Sequence, residues 1–136
     1  MNVLIEPATG VLAEAAASYV REQVFEHEFG ICVPPLPARE AMLTLIAGSE
    51  SDLNPAAVLT VLETTCDEEL HRTLGLIFNK DTRVARYTQC AVLKPYRGQH
   101  LASRLILEGH RQFVKPRRID YTWLPCGAER ANSSSF

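Results

Sequence analysis

Residues 84–102 restrict what this chain can fold into more than any other stretch. A long, mostly uncharged run over residues 84–93 reads as a strand and stops at Pro95. A short polar turn through Arg97, Gly98 and Gln99 follows. From residue 98 to 114, Leu101, Ala102, Leu105, Ile106, Gly109 and Phe113 then recur at helical spacing. Pro95 cannot donate a ladder hydrogen bond, and Gly98 lets the turn close without a Cβ clash. The amides of residues 99–103 are left without a helical acceptor behind them. Amides converging at a helix N-terminus favour an anion, although an ordinary strand–turn–helix connection has the same pattern. A diphosphate there would gather charge-assisted hydrogen bonds of about 1.5–3 kcal/mol each before desolvation. Arg97 or Arg104 could supply a mobile counter-charge. The P-loop and the three-glycine dinucleotide fingerprint are both absent.

The chain's 136 residues, 46% apolar and 22% charged, suit one domain spanning residues 1–136 with a real core. A net charge of -2 gives no global pull toward nucleic acid or an anionic membrane. Basic residues do gather between Arg97 and Arg118, which a solvated face explains. An RNA-binding platform would need paired aromatic strand motifs that this region lacks. The start Met1-Asn-Val-Leu-Ile-Glu has no basic n-region, and no stretch approaches a membrane span, so the expected compartment is the cytoplasm. Cys32, Cys66, Cys90 and Cys126 are widely spaced and read as free thiols rather than a metal site.

Along the chain, residues 2–6 read as a short strand and residues 11–28 as a helix ended by Gly30. Residues 33–37 form a proline-rich connector, and residues 38–46 suit a second helix. Residues 56–64 and 70–78 look like a hairpin, joined by the 84–93 strand. Residues 118–124 give a further strand, and residues 128–136 the start of a last helix. The predicted architecture is α/β (α+β), a mixed, mostly antiparallel sheet flanked by helices, with strands 84–93 and 118–124 parallel.

The segment Val92-Leu-Lys-Pro95-Tyr96 followed by Arg97-Gly-Gln-His-Leu-Ala102 resembles the acyl-coenzyme A motif of the GNAT superfamily of N-acyltransferases, [QR]-x-x-G-x-[GA] after a strand ending V-x-P-x-Y. The stretch Val20-Arg-Glu-Gln-Val-Phe-Glu-His-Glu28, followed by Gly30-Ile31, is similar to the family's first helix. The order of elements fits as well. The resemblance implies acetyl-CoA or another acyl-CoA as cofactor. It implies a pantetheine arm along the backbone of Ala91, Val92 and Leu93, and a diphosphate at Arg97, Gly98, Gln99, His100, Leu101, Ala102 and Ser103. Two departures stand out. His100 replaces the middle glycine, where its ring crowds a diphosphate unless it points outward or itself donates to a phosphate. The family's usual last strands are missing or shortened, which implies a homodimer covering an incomplete sheet edge.

The implied reaction moves an acetyl or longer acyl group to a primary amine, on a small molecule or a peptide, by direct transfer in a ternary complex. Nucleic acid and membrane are not expected partners. Transfer needs a neutral amine and a donor for the developing oxyanion. Glu28 at the end of the first helix, Glu63 near the end of a strand, and Tyr121 on a central strand are the candidate catalytic groups. Cys90 has no histidine partner that spacing can supply and reads as a buried thiol. The competing reading is a non-catalytic GNAT-like module that binds a partner or regulates.

Overall fold

A computed structural model of the chain describes residues 3–32, 42–49, 54–64 and 82–124. Five strands form one sheet in sequence order: β1 (Val3–Pro7), β2 (Met42–Ser49), β3 (Pro55–Thr64), β4 (Val84–Val92) and β5 (Tyr121–Trp123). Neighbours from β1 to β4 are antiparallel, and β5 joins β4 in parallel. Helix α1 (Val11–Arg21) follows β1, and helix α2 (Leu101–Gly109) makes the crossover from β4 to β5.

The helices cover opposite faces because strand side chains alternate. On one face Leu45, Ala47, Leu59, Val61, Ala85 and Tyr87 pack under α2 residues Leu101, Ala102 and Leu105. On the other, Val58 and Ala91 meet Ala17, Val20 and Val24 of α1. Gly109 matters here: an added Cβ would lie 2.9 Å from the Tyr87 ring, so glycine lets that ring sit against the helix. The Tyr87 hydroxyl donates to the Ile106 carbonyl at 3.4 Å.

Both helices widen into a π-helical last stretch, Glu22–Glu28 after α1 and His110–Val114 after α2. The first closes with Phe29 N–H donating to the Val24 carbonyl, and Gly30 follows at φ +66°. The expected helices over 11–28 and 98–114 are therefore present, each with a π turn at its end.

Two expectations need correction. Residues 42–46, assigned to a second helix, belong to β2, which is paired on both sides. Leu45 and Ala47 face α2 while Ile46 faces α1. Apolar residues on both faces hide the two-residue period that would have marked a strand. The partner assigned to residues 56–64 is also different, because β3 is flanked by β2 and β4. The 33–37 connector, residues 38–41, the 70–78 strand and the 128–136 helix lie outside the described residues. So does the C-terminal end on which the missing-strand expectation rests.

Candidate functional site

The two sides of β4 differ along its length. Against β3 the register slips between Val58 and Thr60, so Gln89 and Cys90 together oppose Leu59. This is a β-bulge, and Gln89 takes a left-handed backbone, φ 53°. Toward β5 the pairing covers only Val84, Ala85 and Arg86. Among the described residues, no strand pairs with β4 beyond Arg86 on that side. Leu93 N–H continues the β3 ladder by donating to the Ala56 carbonyl at 2.8 Å. The peptide groups of Val92 therefore point the opposite way, into the gap beside β4.

The turn after β4 runs through a short 3-10 segment, Lys94–Tyr96. Gly98 at φ +85° then carries the chain into α2, and a Cβ there would meet nothing within 4 Å. His100 is the N-cap residue, left-handed at φ 59°, ψ 28°, with no side-chain cap. The first helical bond is Arg104 N–H to the His100 carbonyl, 3.0 Å. Among the described residues, the amides of residues 98–103 have no hydrogen-bond acceptor. Gly98, Gln99, His100 and Ser103 are exposed, which puts these four residues of the row at the protein surface. Leu101 and Ala102 are buried, and the small side chain of Ala102 lets the start of α2 sit against the sheet.

Arg97 is held rather than mobile. Its Nε donates to the Val92 carbonyl at 3.0 Å, and its two terminal nitrogens grip both carboxylate oxygens of Glu28 at 2.5 and 2.7 Å. The π turn after α1 thus ties to the strand–helix junction. The Arg97 guanidinium holds the Glu28 carboxyl below its ordinary value, with Lys94 adding to the effect. A carboxylate so stabilised as the anion is a weak proton acceptor. Arg104 donates to the Val3 carbonyl at 3.3 Å and points away toward β1.

The other two candidate catalytic groups are elsewhere. Glu63 pairs in register with Ala85, and Tyr121 with Val84, at the opposite end of β4. That end is on the order of 20 Å from Val92 at about 3.3 Å per residue. Glu63 accepts from Arg83 at 2.7 and 3.0 Å and from Arg117 at 3.2 Å, and both cations lower its pKa. The structure therefore brings Glu28 together with residues 91–93 and 97–103, and it does not bring Glu63 or Tyr121 there. The Cys90 thiol, half-buried in the bulge, is pushed up to about 12 by desolvation, which removes it as a nucleophile near neutral pH.

Sequence reasoning passed over one group. Arg21 points into the layer between α1 and the sheet, and its Nη2 donates to Thr60 Oγ1 at 3.2 Å. A signal was available, because Arg21 lies four residues after Ala17 and three before Val24, on the buried stripe of the helix. Among the described residues there is no group of metal-ligating side chains, and no helix is long and apolar enough to cross a membrane.

No protein-family model matches the chain, and no curated protein matches it by sequence. Solved structures do match. Glucosamine-6-phosphate N-acetyltransferase from Arabidopsis thaliana superposes with a TM-score of 0.64 at 11% identity, covering 95% of this chain and 85% of that one. A predicted acetyltransferase with acetyl-CoA from Clostridium acetobutylicum gives 0.65 at 14%, covering 93% and 82%. A transcriptional regulator from Bacillus halodurans gives 0.66 at 17%, covering 97% and 87%. The mixed sheet with α1 and α2 on opposite faces is the fold of the GNAT N-acyltransferases.

Proposed function

We propose that this protein transfers an acetyl or longer acyl group from acyl-coenzyme A to a primary amine, by direct transfer in a ternary complex. The observation that carries this reading is the row of amides at residues 98–103, which have no acceptor among the described residues, beside an edge of β4 that no described strand pairs. Two features fit a diphosphate. Gly98, Gln99, His100 and Ser103 lie at the surface, and the space over Gly98 is open. The backbone of Gly98, Gln99, His100, Leu101, Ala102 and Ser103 would hold the diphosphate, with the α2 dipole adding about 0.3–1 kcal/mol. Ala91, Val92 and Leu93 would align the pantetheine arm along the gap. When bound, acyl-CoA supplies a thioester whose carbonyl carbon a neutral amine attacks, the thiolate leaving with the proton the amine gives up.

Glu28 belongs in this scheme as an anchor for Arg97 rather than as the base, because its carboxylate is already committed to a bidentate pair. Isothermal titration with acetyl-CoA and longer acyl thioesters is the test. A one-to-one heat with thermal protection is expected, and its absence at millimolar ligand overturns the proposal.

The second reading, a GNAT-like module that binds a partner or regulates without turnover, is favoured by one observation. Glu28, the one candidate base at the cradle, is held as a stabilised anion. One of the matched structures is named a transcriptional regulator. Cofactor binding with no acyl transfer to any amine in a broad panel would select this reading.

A further inference from the structure

Three threonines stand in register across the middle of the sheet. Thr44 on β2 pairs with Thr60 on β3, and Thr60 pairs with Thr88 on β4. All three lie on the face that carries α1, since Thr60 alternates with Leu59 and Val61 on the α2 face. Thr60 is fully buried, and its hydroxyl sits 3.2 Å from that of Thr44. Over this row comes the guanidinium of Arg21, bonded through Nη2 to Thr60. Its Nε is buried and has no hydrogen-bond acceptor among the described residues.

Arg21 combines partial burial with the lack of a counter-charge, whereas Arg86, Arg104 and Arg118, which also reach no carboxylate among the described residues, are exposed. Arg83, Arg97, Arg111 and Arg117 each reach a carboxylate. Arg21 reaches none among the described residues, and burial lowers its pKa with nothing offsetting it. A half-buried cation carrying an unmet donor is costly until an anion arrives. The location is informative too, because Thr88 is directly followed by Gln89 and the bulge. The row of hydroxyls therefore ends at the bulge, three residues before Ala91, where the stretch that the proposed function assigns to the acyl carrier begins.

We infer that Arg21, with Thr60 and its neighbours Thr44 and Thr88, binds the carboxylate of the acceptor, which makes the acceptor an amino-acid-like amine rather than a simple polyamine. The planar fork of arginine suits a carboxylate, and the hydroxyls can donate to its remaining lone pairs. This deepens the acyltransferase reading and rests on it for the word acceptor. The carboxylate site itself stands on Arg21 and the threonine row alone.

The test separates the two. Nitrogen-15 spectra of the full chain would follow the Arg21 Nε–H signal, assigned by its loss in Arg21→Lys, during titration with acetate and with acetamide. A saturable shift with acetate and none with acetamide is expected. No shift, or an equal shift with both, overturns the inference. Should Arg21→Lys fail to fold, Thr60→Val supplies the assignment by perturbing the same signal. If acetyl-CoA titration fails while acetate still binds, the transferase reading falls and the carboxylate site survives. With turnover in hand, alanine should be used in preference to alaninamide, and Arg21→Gln should lower kcat/KM for alanine by roughly 10- to 100-fold. Equal use of the two acceptors, unchanged by Arg21→Gln, also overturns it.

Discussion

The two ends of β4 both hold a carboxylate gripped by arginine, Glu63 at one and Glu28 at the other, and they differ in how their backbone groups are met. At the Val84 end the strand is paired on both sides, to β3 and β5. Glu63 there is shared between Arg83 and Arg117, and Asp120 accepts from the Arg83 amide at 2.9 Å. Each of these charges has a partner inside the protein. At the Val92 end, among the described residues, the β5 side is unpaired, a bulge interrupts the ladder, and the amides of residues 98–103 are without acceptors. A carboxylate already saturated by arginines can stabilise the fold but has little left to offer a substrate. Backbone donors left exposed at a fixed spacing can recognise one. On the proposed reading, function belongs to the unsatisfied end and Glu63 serves the fold.

The largest effect should come from breaking the unsatisfied end. Gly98→Val meets no steric neighbour, yet it forces a β-branched residue to φ +85°. It should cost about 1–2 kcal/mol of stability. It should also weaken coenzyme A binding by roughly tenfold or more as the amides lose their common direction, each being worth about 1.5 kcal/mol or more to a charged group. Calorimetric titration beside a thermal melt measures both. Next comes Glu28→Gln, which removes the charge gripping Arg97. The pair is partly exposed, so screening limits its worth to about 1 kcal/mol, and a loss of roughly threefold in coenzyme A affinity is expected. A variant that bound coenzyme A as well as the parent would detach α1 from the site.

Glu63→Gln tests the satisfied end and should do the reverse, lowering Tm while leaving coenzyme A affinity unchanged. Its pH signature has a definite sign. Arg83 and Arg117 depress the folded pKa of Glu63 below its ordinary value near 4.5. The stabilisation is therefore complete above that value and disappears as pH falls through the lower folded one. Acid melts of the parent should thus steepen below about pH 4.5, and Glu63→Gln should flatten that limb. Glu28 contributes to the same window with the same sign, because Arg97 depresses it as well.

The unsatisfied end was readable in the sequence because it is built locally. Pro95, Gly98 and the apolar spacing from Leu101 lie within a few residues of one another, and each carries its own backbone consequence. The satisfied end was not readable, because Glu63 meets Arg83 and Arg117 across 20 and 54 residues. For the same reason Arg97 was expected to be mobile, since its grip on Glu28 spans 69 residues. The threonine row needs the strand register, which the helical expectation over residues 38–46 does not supply. Only Arg21 was within reach of a sequence argument, through its place between Ala17 and Val24.

The smallest effect sharpens the meaning of an open end. His100 adopts φ 59° without a cap, where its Cβ costs about 1–2 kcal/mol relative to a right-handed residue. Glycine removes that cost but gives back about 0.5–1 kcal/mol through its freer unfolded chain. His100→Gly should therefore stabilise the protein by about 0.5–1 kcal/mol, read as a small rise in the urea midpoint. Because His100 and the residues before it, Gly98 and Gln99, are exposed, coenzyme A affinity should change by less than about twofold, under 0.5 kcal/mol. A gain of tenfold would mean that the imidazole stands in the path of the diphosphate. The end of β4 would then be unsatisfied but shuttered, and the non-catalytic reading would gain the obstruction it needs.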